Sequence, residues 1–231
     1  MSKSYHIEFD IDFKRNPHKG VYVALEGIDG AGKTVQMERL LQYFQKQEKD
    51  VVATHEPRRT GLIGRVINEF LQGRVDVPSV ALQYLMSADR IFEQHEQILP
   101  SLKKGEMVIT HRCFWSSIPY GILDYSEGKE IDFENGNILM VAQSILSMYY
   151  QIVVPDITFY IDISAETALE RLTKAGNTLE YYEKLEKLEA VREGYLWMAK
   201  RFPDEIIVIE GDRDPKEITK ELIKKIESFK K

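Results

Sequence analysis

The chain has 231 residues, 43% of them hydrophobic, and a formal net charge of −6. That length and apolar content suit one compact α/β domain, with or without a small lid. The acidic balance argues against a protein that grips DNA or RNA backbones, so any cationic site must be local. Cys113 is the single cysteine, which excludes an intramolecular disulfide and fits a reducing cytosol. The opening MSKSYHIEFD carries no apolar signal core, and the apolar-looking stretch 138–155 is broken by Gln143, Ser144, Ser147 and Gln151. No membrane span is expected, and the chain reads as cytoplasmic.

The predicted elements begin with a strict alternation over 5–13, Tyr5, Ile7, Phe9, Ile11 and Phe13 against polar neighbours, the period of a half-buried accessory strand. Asn16-Pro17-His18-Lys19-Gly20 then reads as a loop. Residues 1–20 are therefore set apart from a main domain over 21–231. In that domain short apolar runs at 21–26, 51–55, 107–110, 157–162 and 206–210 predict strands. Helical patterns fall between them, at 33–46, 62–71, 79–99, 115–123, 137–149, 165–174, 183–201 and 215–229. Ser164, with Glu166 in the first turn, and Asp214 before Pro215 supply helix-start chemistry. Strand–helix alternation argues for a parallel sheet covered on both faces, with ligands beyond the carboxyl ends of the strands. Ile138, Val141, Ile145 and Met148 serve either a core or a dimer face.

Gly27-Ile28-Asp29-Gly30-Ala31-Gly32-Lys33-Thr34 follows the first strand and opens the first helix. It has the spacing and context of a phosphate-binding loop. Its glycines let backbone N–H groups turn toward phosphate oxygens, and the helix N-terminus adds positive partial charge. Lys33 would neutralise the β- and γ-phosphates, and the Thr34 hydroxyl would ligate Mg²⁺ together with phosphates and water. The loop implies ATP or a similar triphosphate and leaves the acceptor open.

The segments GIDGAGKT, EPRRTGLIG, LMSADR, HRCFWSSIPY, PDITFYIDI, EYYE and GDR occur in the order found in thymidylate kinases. From about residue 20 onward the chain resembles that family. The resemblance implies a three-layer P-loop kinase fold with a five-stranded parallel sheet, helices on both faces and a lid over about 174–182. It also implies transfer from MgATP to dTMP and a homodimer, with small nucleotides rather than polymeric nucleic acid as partners.

By the same resemblance, Asp29 lies between acceptor phosphate and donor, and Glu56-Pro57 shapes the acceptor pocket. Arg59 and Arg112 hold the acceptor phosphate, and Arg90 reads the thymine edge. Met86 stands where a ring covers the base, although a core methionine would look the same. Ser116 and Ser117 lie by the sugar, Tyr120 against the 2′-carbon and Tyr182 in the acceptor site. Arg171 and Arg213 face the donor nucleotide, Arg213 beside the adenine.

Three departures from the family pattern stand out. His111 replaces the usual aspartate before the strand-end arginine, so a neutral ring stands where a carboxylate would support Mg²⁺. Gly30-Ala31 and Ala175 leave loop and lid without the usual catalytic arginine, and Lys174, Arg171 and Arg58 are the candidates to replace it. Cys113 and Met86 stand where aromatic residues are common. These departures keep two other readings open, a kinase with a broader choice of nucleoside monophosphate and a nucleotide-binding module without turnover.

Overall fold

The computed structural model describes residues 10, 12–126, 131–133, 136–174, 176 and 179–230. Most of the predicted strand over 5–13 lies outside the described residues. Of that stretch Phe13 packs against the rings of Phe114, Trp115 and Phe202. Lys14 then makes an isolated parallel bridge to Val153. Asn16 ties the segment to the domain, its amide donating to Gly20 O at 2.9 Å and Asp156 Oδ2 at 2.7 Å.

The first half of the chain runs β1 (Tyr22–Glu26), α1 (Lys33–Lys46), β2 (Val51–His55), α2 (Gly61–Leu71), α3 (Ser79–Glu93), α4 (Leu99–Lys104) and β3 (Met107–His111). The second half runs α5 (Ser117–Ser126), α6 (Gly136–Ser147), β4 (Ile157–Asp162), α7 (Ala165–Lys174), α8 (Leu185–Arg201), β5 (Ile206–Glu210) and α9 (Pro215–Ser228). The five strands form one parallel sheet in the order β2-β3-β1-β4-β5. β1 is central and buried along its whole length. Alternate residues point to opposite faces. Val23 and Leu25 pack with Leu40 and Phe44 of α1 and Ile218, Leu222 and Ile226 of α9. Ala24 joins the larger core on the other face, with Trp115, Ile118, Tyr160, Val191, Tyr195 and Met198. The sheet order places the loop after β1 at the middle of the sheet's carboxyl edge, where the neighbouring connections diverge and a cleft opens.

The helix predicted over 79–99 is not continuous. α3 ends at Glu93, a π-helical turn covers Gln94–Ile98, and α4 follows. Pro100 explains the break. It has no N–H to give to the carbonyl four residues back, and its ring crowds that carbonyl, so the preceding turn widens. Gln94 then turns its amide to Val153, accepting from the backbone N at 2.7 Å and donating to the carbonyl at 2.8 Å. The third strand also runs one residue beyond its predicted end, to His111. The two predicted caps are present. Ser164 Oγ accepts from Thr167 N at 3.1 Å, and Asp214 Oδ1 accepts from Lys216 N at 2.6 Å. Ile138 and Ile145 belong to the core, with Val141 and Met148 packed against it. Among the described residues no helix is long and apolar enough to cross a membrane.

α5 contributes Ser117 and Tyr120 to the cleft wall, and its position depends on a close approach to α8. A Cβ added to Gly194 of α8 would stand 2.9 Å from Pro119 Cβ and 3.0 Å from Pro119 Cα. Gly194→Ala is therefore expected to force α5 and α8 apart and destabilise the fold by about 1–3 kcal/mol. Urea denaturation checks this, and an unchanged midpoint would contradict it.

Candidate active site

The phosphate loop connects β1 to α1 and turns on left-handed glycines. Gly30 has φ +83°, and a Cβ there would stand 2.6 Å from the Ala168 carbonyl oxygen, so the loop seats against α7 only with glycine at this point. Ile28 and Ala31 are buried in the core and anchor the loop from below. Gly27, Ile28 and Ala31 are not on the cleft wall, whereas Asp29, Gly30, Gly32, Lys33 and Thr34 are. The cleft has a volume of ≈ 530 Å³. Nothing lies within 4 Å of a Cβ built on Gly32. Backbone open to the cleft in this way is what phosphate oxygens need. Lys33 Nζ is folded back on its own loop, donating to Gly27 O at 3.0 Å and Ile28 O at 2.8 Å. Burial, with Arg112 nearby, lowers its ammonium to about 7.

Arg112 follows β3. Its backbone N continues the ladder to Leu25 O at 2.9 Å, and its φ of +72° then swings the side chain back over the sheet edge. That conformation is costly for a residue with a Cβ. Thr110 Oγ1 donates to the Arg112 carbonyl at 2.7 Å and helps to hold it. The guanidinium is buried, and both its Nη groups are engaged. It donates to Asp29 Oδ1 at 2.7 Å, Tyr120 OH at 2.8 Å, Tyr195 OH at 3.0 Å and Ser116 Oγ at 3.2 Å. Behind it lies Glu26, wholly buried at the end of β1. Glu26 accepts from Cys113 N at 2.8 Å, Ser116 Oγ at 2.5 Å and Tyr195 OH at 2.7 Å. Burial opposes ionisation of Asp29, but Arg112 and Lys33 outweigh it and hold the carboxyl well below the usual carboxylate range.

Arg90, on α3, makes a second buried cation. It donates to Glu56 Oε2 at 2.7 Å and Tyr149 OH at 2.9 Å and also bonds Ser117 Oγ. Ser116 and Ser117, predicted to lie by the sugar, each brace an arginine. Glu56-Pro57 is a cis peptide on the cleft wall. Met86, Tyr120 and Tyr182 line the same cleft. Tyr182 stacks edge-on against Tyr120 at 4.9 Å and donates to both oxygens of Asp124, at 3.0 and 2.9 Å. Arg59 lies at the cleft wall but is paired bidentately with Glu180, at 2.9 and 3.2 Å. It must leave Glu180 to meet a phosphate.

The candidates for the missing arginine separate clearly. Arg171 lines the cleft, 3.5 Å from Gly30 O. Lys174 pairs with Glu170, and Arg58 is held by Asp89 at 3.0 Å and Glu96 at 2.7 Å. Neither of those two is on the cleft wall. Arg213 is also off the wall, bonded to Glu210 O at 2.9 Å and to Glu221. Ala175, Asn177 and Thr178 of the predicted lid lie outside the described residues.

His111 sits beside His55 on the neighbouring strand, their rings stacked at 4.1 Å and 12°. Burial, then Lys33, His55 and Arg112, hold His111 well below its ordinary range, so the ring is neutral. Sequence reasoning missed Glu26, His55, Gln83, Tyr149 and Tyr195. A carboxylate ending an otherwise apolar first strand was a readable signal for Glu26. Tyr149 and Tyr195 sit in ordinary helical spacing and are placed only by the fold.

A lysine at about 7 is mostly neutral at pH 8 and mostly charged at pH 6. A bound triphosphate favours the ammonium. MgATP binding at pH 8 is therefore expected to take up close to about one proton, falling toward zero at pH 6. Calorimetry in buffers of different ionisation enthalpy measures it, and Lys33→Met should abolish the uptake. Equal uptake at both pH values would contradict this account of Lys33.

The comparisons with known proteins agree with this geometry. The family model described as thymidylate kinase matches residues 25–223. The probable thymidylate kinase of Methanosarcina mazei is 33% identical over 211 residues, 91% of this chain and 97% of its own. The thymidylate kinase of Caldanaerobacter subterraneus subsp. tengcongensis is 34% identical over 215 residues, 92% of this chain and 98% of its own. The probable thymidylate kinase of Thermococcus onnurineus is 31% identical over 196 residues, with shares of 81% and 88%. The chain is thus a member of the thymidylate kinase family of phosphotransferases.

Proposed function

We propose that this chain transfers the γ-phosphoryl group of ATP to the 5′-phosphate of dTMP, giving ADP and dTDP. The observation that carries the reading is the pairing of two buried arginines in one cleft with a phosphate loop. Arg112 stands beside Asp29 and Lys33 at the phosphate end, and Arg90 lies on α3 beside Met86. A guanidinium fork matches phosphate oxygens in two places at once and suits Arg112 to the acceptor phosphate, for which it exchanges protein partners such as Asp29 and Tyr120.

In this reading the loop amides and Lys33 hold the donor phosphates, and Arg112 holds the acceptor. An oxygen of the acceptor phosphate attacks the γ-phosphorus as the bond to the β-γ bridging oxygen breaks, and ADP leaves with that electron pair. The attacking oxygen is already anionic, so no general base is required. Positioning and charge supply the acceleration. Arg171, nearest the loop, supplies the charge that other members take from a loop or lid arginine. Arg59 moves from Glu180 to the acceptor as the lid over 174–182 closes.

Mg²⁺ bound with the nucleotide would neutralise charge between the β- and γ-phosphates. The residues present fit such an ion, because the Thr34 hydroxyl and the part-exposed Asp29 carboxylate both lie on the cleft wall. His111 is neutral and adds no negative charge there. We further infer that residues 21–231 work as one catalytic domain, with 1–20 as an accessory segment, in the cytoplasm. A homodimer is supported by the exposed apolar stripe Val80, Tyr84 and Ile91 on α3, spaced to share one helix face.

Turnover of purified protein with MgATP and a panel of deoxy- and ribonucleoside monophosphates tests the reading. The expected result is strong preference for dTMP, falling by about 10³-fold or more in Lys33→Ala. Comparable turnover of several monophosphates, or none at all, would overturn it.

A further inference from the structure

Among the described residues, two buried side-chain atoms lack a hydrogen-bond partner, Gln83 Oε1 and His111 Nδ1. Both residues lie on the cleft wall. His111 is at the phosphate end. Gln83 is at the other, on α3, seven positions before Arg90 and so on the same helix face.

The surroundings of Gln83 decide which way its amide points. The nitrogen side faces the Asp124 carboxylate, which also takes both hydrogen bonds from Tyr182. A carboxylate accepts, so the amide turns its nitrogen there and its oxygen elsewhere. Gly121 of α5 closes on the amide from the side. A Cβ at Gly121 would lie 3.3 Å from Gln83 Nε2 and 3.4 Å from Gln83 Cδ. The amide is thereby held between two helices with its carbonyl oxygen left over. A buried acceptor without a donor is costly, and a ligand bringing an N–H restores the missing bond.

Pyrimidine bases differ in what they bring. Thymine and uracil present a carbonyl, then N3–H, then a carbonyl. Cytosine presents a bare N3 beside an amino group, with donor and acceptor reversed at those two positions. Arg90 can only donate and fits a carbonyl, while Gln83 Oε1 can only accept and fits N3–H.

Resting on the thymidylate reading above, we propose that Gln83 is a specificity-determining residue. It accepts the N3–H of the thymine ring while Asp124 and Tyr182 lock its orientation, and so it selects an imide base over cytosine.

The test compares kcat/KM for dTMP and for its N3-methyl analogue, which lacks the donor. The ratio is taken within each of wild type, Gln83→Ala and Gln83→Met, so differences in active fraction cancel. Gln83→Met keeps the side chain's length should the alanine variant fail to fold. Wild type should favour dTMP by about 10- to 100-fold, and the ratio should fall by about tenfold or more in the variants, chiefly through loss of dTMP turnover. A ratio unchanged by substitution, with dTMP still turned over by wild type, overturns the role of Gln83 alone. Wild type inactive on dTMP would overturn the thymidylate reading and this inference together.

Discussion

The charge of Arg112, held out of water at the carboxyl end of β3, is the constraint on which the rest of the site depends. A lone buried cation is untenable, and one with partners is tenable only when its donors are satisfied. Here Asp29, Tyr120, Tyr195 and Ser116 take its N–H groups, and Glu26 takes the hydroxyl protons of Ser116 and Tyr195. Those partners come from the phosphate loop, α5, α8 and β1. One ion therefore ties together the loop that binds the donor and the helices that shape the acceptor pocket. Arg112 N also continues the β1–β3 ladder while its φ is left-handed, so the cation is aimed by the backbone before any ligand arrives. Groups fixed in advance need no reorganisation when phosphoryl charge shifts.

The acceptor end repeats the pattern in a second register. Arg90 is held by Glu56 and Tyr149, each from a different part of the chain. The cleft wall is thus an acidic protein's local exception, carrying Lys33, Arg59, Arg90, Arg112 and Arg171 against Asp29, Glu56, Glu180 and Glu183. Arg59 differs from both, being part-exposed and tied to Glu180. An exposed pair of this kind is weak, and a residue that has to move on ligand binding is better held weakly than strongly.

Much of this was legible in the sequence, and the reasons are local. Apolar runs a few residues long, each followed by a helical period, identify the parallel sheet. The loop spacing and the arginine after the third strand identify the phosphate site. The interruption after Glu93 has its sequence signal in Pro100, whose ring crowds the carbonyl four residues earlier. What escaped were long-range partners. Glu26 and Tyr195 are 169 positions apart yet share a hydrogen bond, and no periodicity reports that. The fate of Arg58 was equally invisible, because only the fold shows it spent on Asp89 and Glu96 of the α3 region while Arg171 lines the cleft.

The central claim is that one preorganised guanidinium holds the acceptor phosphate. Calorimetric binding of dTMP and of thymidine to wild type and Arg112→Lys tests it most directly. The account predicts that lysine, a point charge without the fork, weakens dTMP binding by about tenfold or more. Binding of thymidine, which has no phosphate, should weaken by clearly less than that of dTMP. Unchanged dTMP affinity, or an equal loss for dTMP and thymidine, would contradict it.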